Sequence, residues 1–128
     1  MKKSPPLHVL IVDDESLIRW SIAETLAHAG YEVTEASDAR EAVQRVFRAP
    51  APDVILLDYR LPDSNDLKLL ERIRGALPNS PVIMMTAYGT SEMVEGAIRL
   101  GAYKVLSKPV ELSDLIPLVE RAYQTRTL

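Results

Sequence analysis

Short apolar runs alternate with amphipathic stretches along most of this 128-residue chain. The clearest run covers residues 54–57 and lies between Pro52-Asp53 and Asp58. A continuous apolar run between turn-forming residues is typical of a strand covered on both faces, as in a parallel sheet. Further runs cover residues 7–12, 81–85 and 103–107, whereas residues 31–36 alternate between polar and apolar side chains. The pattern predicts five strands, of which the alternating one is an edge strand.

Helical periodicity separates these strands, because apolar side chains recur there at spacings of three and four residues. The five predicted inward faces are Ile18, Ile22, Leu26 and Ala29; Ala39, Ala42, Val43, Val46 and Phe47; Leu67, Leu70, Ile73 and Leu77; Val94, Ala97 and Ile98; and Leu115, Leu118, Val119 and Ala122. The first four helices are predicted to begin near residues 15, 38, 66 and 90. Pro117 disturbs the last one, because an interior proline lacks an amide donor, so that helix either begins late or kinks.

Five strands interleaved with five helices predict an α/β fold, in which a doubly wound parallel sheet carries helices on both faces. No stretch inside the chain has the composition of a linker. We therefore expect one domain over residues 1–128, with a core over residues 7–123 and flexible ends at 1–6 and 124–128.

Composition excludes several classes of function. The formal net charge is −3 and no basic block is present, which argues against direct contact of this segment with nucleic acid. No apolar run approaches the roughly 20 residues that cross a bilayer, and the first six residues are too polar for a secretory signal. The chain contains no cysteine, which excludes a disulfide framework, a thiolate zinc site and a cysteine nucleophile. This composition is compatible with the cytoplasmic location that we expect.

Polar side chains follow the predicted strands at the points where they end. Asp13 and Asp14 follow the first, Asp58 the third, Thr86 the fourth and Lys108 the fifth. Because the carboxyl ends of parallel strands share one edge of a sheet, we expect these side chains to converge there.

Crowded carboxylates repel one another unless a cation lies among them, and oxygen ligands suit Mg²⁺. A carboxylate such as Asp58 can attack phosphorus and form an acyl phosphate. The metal, the Lys108 ammonium and the Thr86 hydroxyl would then each bind one phosphoryl oxygen. The chain shows no Ser-His or Cys-His arrangement that would favour hydrolysis of esters or amides.

Four segments carry a resemblance to a known family. They are Val9-Leu10-Ile11-Val12-Asp13-Asp14-Glu15, Asp58-Tyr59-Arg60-Leu61-Pro62-Asp63, Thr86-Ala87, and Gly101-Ala102 followed by Lys108-Pro109. In this order they resemble the receiver domain of two-component response regulators, over residues 7–123. Residues 14–20 are further similar to receivers attached to enhancer-binding transcription activators, which carry an ATPase and a DNA-binding domain.

The resemblance implies a flavodoxin-like sheet with strand order 2-1-3-4-5 and a Mg²⁺ site. In that site Asp14, Asp58 and the backbone carbonyl of Arg60 would hold the metal directly, and Asp13 would act through a water molecule.

The resemblance also implies that Asp58 is the phosphoacceptor and that a histidine kinase supplies the phosphoryl group from a phosphohistidine. Lys108 would contact that group, Thr86 would move toward it, and the Lys108-Pro109 bond would be cis. The domain would not be an enzyme beyond self-phosphorylation and slow self-dephosphorylation. Its fourth helix, fifth strand and fifth helix would form the surface that controls an output domain or partner, in transcription, and a homodimer through that surface is expected.

Two positions depart from the family pattern. Family members usually have an aromatic residue three positions before the lysine, where this chain has Val105. Tyr103 lies two residues earlier, so alternation predicts that it shares a face with Val105 and takes part of the signalling role, unless the aromatic step is missing. Asp66 stands where a glycine is common, which puts the usual local backbone in question.

Three other interpretations remain open at this stage. A phosphatase of the haloacid dehalogenase type uses an aspartyl nucleophile but needs a second Asp two residues later, where this chain has Arg60. A pseudo-receiver that binds partners without phosphorylation would be compatible with Val105. A flavin-binding domain of similar topology would need a phosphate-binding loop after the first strand, for which Asp13-Asp14-Glu15 has the wrong charge.

Overall fold

Five parallel strands form one sheet in this computed structural model, which describes residues 6–125. The strands are β1 (His8–Val12), β2 (Glu32–Ala36), β3 (Val54–Asp58), β4 (Val82–Thr86) and β5 (Ala102–Ser107). The helices are α1 (Ser16–His28), α2 (Ala39–Val46), α3 (Lys68–Ala76), α4 (Ser91–Arg99) and α5 (Leu112–Thr125). The strand order is β2-β1-β3-β4-β5, with every neighbouring pair parallel, which confirms the predicted doubly wound α/β sheet and the edge position of β2.

Two apolar clusters cover the two faces of the sheet. Helices α1 and α5 pack on one face, which we call the α1/α5 face, and α2, α3 and α4 pack on the other, the α2/α3/α4 face. The apolar run of β3 is continuous because the strand is covered on both sides. Val54 and Leu56 pack on the α1/α5 face, and Ile55 and Leu57 pack on the α2/α3/α4 face. Both sets are buried, as a central parallel strand requires.

Strand β5 contains an irregularity that the sequence pattern does not reveal. Val82 pairs with Ala102, but Ile83 pairs with Lys104, so Tyr103 is an extra residue in the ladder. An extra residue shifts the alternation of faces by one position. Tyr103 accordingly packs against the α1/α5 face, whereas Val105 packs against the α2/α3/α4 face. The prediction that these two side chains share a face is therefore wrong.

Two helix ends also differ from the periodic pattern. Phe47 and Ile98 were predicted to point inward, but their exposures are 66% and 48%. Helix α2 ends at Val46, so Phe47 follows the last turn, and in α4 it is Met93 that is buried. Phe47 is exposed because α2 has ended before it, whereas Ile98 lies inside α4, whose buried residues are Met93 and Ala97.

Helix α5 begins at Leu112 and continues through Pro117 to Thr125, so it does not begin late. Residues 124 and 125, which were expected to be flexible, belong to this helix. The rest of the expected flexible ends, residues 1–5 and 126–128, lie outside the described residues. Within the described range, no helix combines the length and apolarity needed to cross a bilayer.

Candidate functional site

The carboxyl ends of β1, β3, β4 and β5 share one edge of the sheet, as the parallel topology requires. Asp13 directly follows β1 and is fully buried, and its amide donates to the Ala36 carbonyl at the end of β2. Asp58 and Thr86 are the last residues of β3 and β4, and both are buried. Lys108 follows β5, and its amide donates to the Thr86 carbonyl at 2.8 Å. Backbone hydrogen bonds between the strands therefore position Asp13, Asp58, Thr86 and Lys108, independently of their side-chain contacts.

The Lys108 ammonium joins the acidic side chains at this edge. Its Nζ lies 2.9 Å from Asp13 Oδ2, 3.1 Å from Asp58 Oδ2 and 3.4 Å from Glu15 Oε1. The Lys108–Pro109 peptide bond is cis, as the family resemblance implies. The predicted convergence of residues that are distant in sequence is confirmed by these distances.

Three carboxylates form a cluster that could hold a metal ion. Asp13, Asp14 and Asp58 each offer one oxygen, and these oxygens all lie within 4.8 Å of one another. Asp13 Oδ1 accepts the Glu15 amide at 2.9 Å, whereas Asp13 Oδ2 is buried and its one partner among the described residues is the Lys108 ammonium. An all-oxygen set with an incompletely satisfied buried atom fits a hard divalent cation such as Mg²⁺.

Arg60 is the fourth predicted metal ligand, through its backbone carbonyl. Its amide donates to Asp58 Oδ1 at 3.3 Å, so the Arg60 backbone lies beside the predicted phosphoacceptor. Its guanidinium lies over the ring of Tyr88, 5.6 Å from the ring centroid. This contact joins the loop after β3 to the loop after β4, outside the carboxylate cluster.

Burial and charge shift the pKa values of the central ion pairs. Burial raises the pKa of Asp58 to about 6, with a further rise from the Asp13 charge, while Lys108 opposes both effects. Burial alone would lower the pKa of Lys108, but hydrogen bonding and charge from Asp13 and Asp58 outweigh it and hold that pKa above its usual range. Two buried carboxylates thus share one ammonium, which raises the pKa of Lys108, whereas for Asp58 the effect of burial outweighs the pairing with Lys108.

Thr86 is enclosed by the loop that joins β4 to α4. Its Oγ1 accepts the Tyr88 amide at 3.2 Å, and a Cβ on Gly89 would lie 2.9 Å from the Thr86 methyl carbon. The absence of a side chain at Gly89 therefore lets the loop pass close to Thr86. The hydroxyl can accept from Tyr88 and still donate to an oxygen in the site, because a hydroxyl provides both functions.

Sequence reasoning missed two features of this site. The sequence pattern assigns Glu15 no role of its own, yet its carboxylate lies 3.4 Å from the Lys108 ammonium. The Arg60–Tyr88 contact was also missed, because it joins two loops and no local pattern predicts it.

Asp66, which stands where the family commonly has a glycine, does not need a glycine-like backbone here. No non-glycine residue in the described part of the chain has a positive φ, and the Asp66 carboxylate accepts the Lys68 amide at the start of α3 at 2.9 Å.

Comparisons with known proteins agree with this geometry. AtoC of Escherichia coli, a regulatory protein, is 37% identical over 120 residues, which are 94% of this chain and 26% of AtoC. The DNA-binding transcriptional regulator NtrC of Escherichia coli is 38% identical over 114 residues, 89% of this chain and 24% of NtrC. The chain thus spans about a quarter of the length of these relatives.

Solved structures give the same result. The receiver domain of NtrX from Brucella abortus has a TM-score of 0.83 at 38% identity, covering 91% of this chain and 98% of that one. A CheY-like receiver domain protein from Methanospirillum hungatei has a TM-score of 0.90 at 30% identity, covering 95% of this chain and 97% of that one. A family model described as the response regulator receiver domain matches residues 9–120. The chain therefore belongs to the response regulator receiver domain family.

Proposed function

We propose that this domain takes a phosphoryl group from the phosphohistidine of a histidine kinase onto Asp58, in a reaction that requires Mg²⁺. The observation that carries the proposal is the grouping of the three carboxylates around Asp58, with the Lys108 ammonium 3.1 Å from Asp58 Oδ2. A buried carboxylate beside a cation site and an ammonium is equipped to attack phosphorus.

In the proposed transfer, one Asp58 oxygen attacks the phosphorus atom, a P–O bond forms and the P–N bond to the donor imidazole breaks. The electron pair stays on the imidazole nitrogen, and the product is an acyl phosphate. Lys108 and the Thr86 hydroxyl bind the transferred oxygens. When bound by Asp14, Asp58 and the Arg60 carbonyl, with Asp13 acting through water, Mg²⁺ would neutralise charge that develops on the phosphoryl group. The domain acts as a phosphoacceptor, with self-phosphorylation and slow self-dephosphorylation as its only reactions.

An apolar pocket of about 240 Å³ next to the site suits the donor protein, because Lys108 and Pro109 form one of its walls. Leu17 and Leu112 line the pocket, Leu17 is 73% exposed, and Trp20 on the same helix is 57% exposed. Large exposed apolar side chains beside a reactive edge are typical of a protein-binding surface. We assign this surface to the histidine kinase, because a phosphohistidine must approach Asp58 from this edge.

Phosphorylation adds a charge of about −1.5 to −2 and further acceptor oxygens at Asp58. In this proposal those oxygens attract Thr86 and shift a pre-existing equilibrium of the β4–α4 loop. The α4–β5–α5 surface then controls an output domain or partner, through a homodimer formed by that surface. NtrC is by name a DNA-binding transcriptional regulator, which supports transcription as the process controlled.

The proposal is tested by incubation with a small phosphodonor and Mg²⁺, followed by intact mass measurement. The wild type should gain one phosphate and Asp58→Asn should gain none. Asp53→Asn is the matched control, because Asp53 precedes the same strand at its opposite end and the amide oxygen can still accept from the His8 amide. Equal phosphorylation of wild type and Asp58→Asn, or none in the wild type, would overturn the proposal. Sustained release of phosphate from added phosphate esters would instead favour the phosphatase.

A further inference from the structure

Asp63 lies in the loop between β3 and α3, and its carboxylate binds the start of α2. Oδ1 accepts the Ala39 amide at 2.8 Å and Oδ2 accepts the Arg40 amide at 3.1 Å. These two amides belong to the first turn of the helix, where amide groups have no partner inside the helix. A negative charge at this end is also favoured by the helix dipole, and hydrogen bonds from Ala39 and Arg40 lower the pKa of Asp63.

Helix α2 already has a cap from its own segment. The Asp38 side chain accepts the Glu41 amide at 2.8 Å, and the Glu41 side chain accepts the Ser37 amide at 2.7 Å. The pair resembles a capping box, except that Glu41 accepts from Ser37, one residue before the N-cap Asp38. The helix start therefore has a side-chain cap of its own on the Glu41 amide, and Asp63 is not the only group that holds it, so we expect loss of the Asp63 contact to affect the loop as well as the helix.

The loop itself is short and closed. Leu61 and Ser64 exchange two backbone hydrogen bonds, at 2.8 and 3.2 Å, and the Leu61 side chain is buried in the core. Asp58 is held in the sheet at one end of this segment, and Asp63 is held on α2 near the other. Arg60 lies between these fixed points, with its amide on Asp58 Oδ1. A displacement at Asp63 would thus reach the Arg60 backbone through only two intervening residues.

We propose that Asp63 is a positioning residue for the phosphorylation site: its two hydrogen bonds to α2 hold the β3–α3 loop so that the Arg60 carbonyl faces the Mg²⁺ site. This inference rests on the proposed function, because it assigns the Arg60 carbonyl to the metal. It makes α2, which contributes no ligand, a determinant of metal affinity.

The test measures Mg²⁺ affinity by calorimetric titration without a phosphodonor, at a temperature where each variant is folded. Asp63→Ala should weaken Mg²⁺ binding about tenfold, the low end for groups that orient metal ligands. Asp63→Asn should show a smaller loss, because its amide oxygen can still accept one amide. Asp66→Ala is the matched control: it removes the same charge from the same loop, but its carboxylate binds the nearby Lys68 amide instead of α2.

A second variant removes the donor. Ala39→Pro deletes the amide that Asp63 Oδ1 accepts, at the first helical position, where proline is well tolerated. The preceding residue, Asp38, has φ −153° and ψ 176°, which suits a residue before proline. Ala39→Pro should also weaken Mg²⁺ binding, and adding it to Asp63→Ala should cause little further loss, because both changes break the same contact.

The outcomes are distinct. If Asp63→Ala lowers only the unfolding temperature and leaves Mg²⁺ affinity unchanged, Asp63 merely supports the fold and the positioning role is refuted. Equal weakening by Asp63→Ala and Asp66→Ala would show a general charge effect and would also refute it. If Ala39→Pro does not fold, the order of affinities of wild type, Asp63→Asn and Asp63→Ala decides alone. If the wild type itself binds no Mg²⁺, it is the proposed function that fails.

Discussion

Removal of the Asp58 carboxylate, the proposed phosphoacceptor, should make the metal-free domain more stable. The folded state raises the pKa of Asp58 from 3.8 to about 6, through burial and the neighbouring Asp13 charge. Holding this carboxylate ionised at neutral pH therefore costs stability. Asp58→Asn keeps the shape of the side chain but removes the charge, and Lys108 retains its ion pair with Asp13.

The magnitude follows from the shift. A rise from 3.8 to about 6 is roughly 2 pKa units, each equivalent to about 1.4 kcal/mol, which gives an upper bound of about 3 kcal/mol. The site lies at the edge of the sheet, where solvent screens part of the charge, so we expect Asp58→Asn to raise the free energy of unfolding by about 1–2 kcal/mol.

The raised pKa of Asp58 also determines how the free energy of unfolding changes with pH. Because the pKa of Asp58 is higher in the folded than in the unfolded state, the folded wild type binds this proton more tightly and loses stability as the pH rises from about 4 to about 6. The Asn variant has no such group. The difference between the two proteins should be absent below about pH 4, grow through this window and stay constant above it.

Urea unfolding in the presence of EDTA at several pH values measures this difference, since a single domain of this size unfolds cooperatively. In a second series without EDTA, free Mg²⁺ at 100 times its dissociation constant should stabilise the wild type by about 2.7 kcal/mol, and the variant by less. Asp53→Asn, at the opposite end of β3, should bring no gain in stability. A metal-free Asp58→Asn that is less stable than the wild type at pH 8, or a difference independent of pH, would refute the reasoning.

Three further predictions concern other parts of the site and fold. Lys108→Ala should lower the free energy of unfolding of the metal-free domain by roughly 3 kcal/mol, because it leaves buried carboxylates without their counter-ion, and Mg²⁺ should restore part of the loss in urea unfolding. Leu17→Lys should slow phosphotransfer from a phosphohistidine protein but leave the reaction with a small phosphodonor unchanged, as measured by intact mass; equal slowing of both would contradict the assignment of the apolar pocket. Gly101→Ala should lower the free energy of unfolding by at least about 1 kcal/mol, because Gly101 has φ +103° and an added Cβ would lie 2.9 Å from Arg74 Nε. Gly75→Ala is the control and should not lower the free energy of unfolding, because no atom lies within 4 Å of an added Cβ there.

The sequence was sufficient for the fold and for the grouping of the site residues. The run at residues 54–57 predicts a strand buried on both faces, and a parallel sheet then brings Asp58 to the same edge as Asp13 and Lys108. Both steps depend only on local pattern and on the rule that the carboxyl ends of parallel strands coincide. The same rule explains why residues distant in sequence could be placed together without coordinates.

Contacts between loops could not be predicted in this way. The Asp63 carboxylate binds amides 23 and 24 residues earlier in the chain, and the Arg60 guanidinium meets the Tyr88 ring from another loop. Such contacts depend on the path of two irregular segments, which no periodicity specifies. The extra residue in β5 could not be predicted either, because nothing in the sequence around Tyr103 indicates a β-bulge.

That bulge has a consequence for signalling. With Tyr103 on the α1/α5 face and Val105 on the other, no aromatic side chain of β5 lies on the face where the family places its switch residue. The remaining connection from the site to α4 is the loop around Thr86, where the hydroxyl accepts the Tyr88 amide and the Thr90 side chain caps the helix by accepting the Met93 amide. The loop passes so close to Thr86 that a Cβ on Gly89 would lie 2.9 Å from the Thr86 methyl carbon, so we expect a shift of Thr86 toward a phosphoryl oxygen to displace this loop or break the Tyr88 hydrogen bond. In the proposed phosphorylation response, the signal would therefore pass from Thr86 through the start of α4, with no aromatic residue of β5 on the α2/α3/α4 face to relay it.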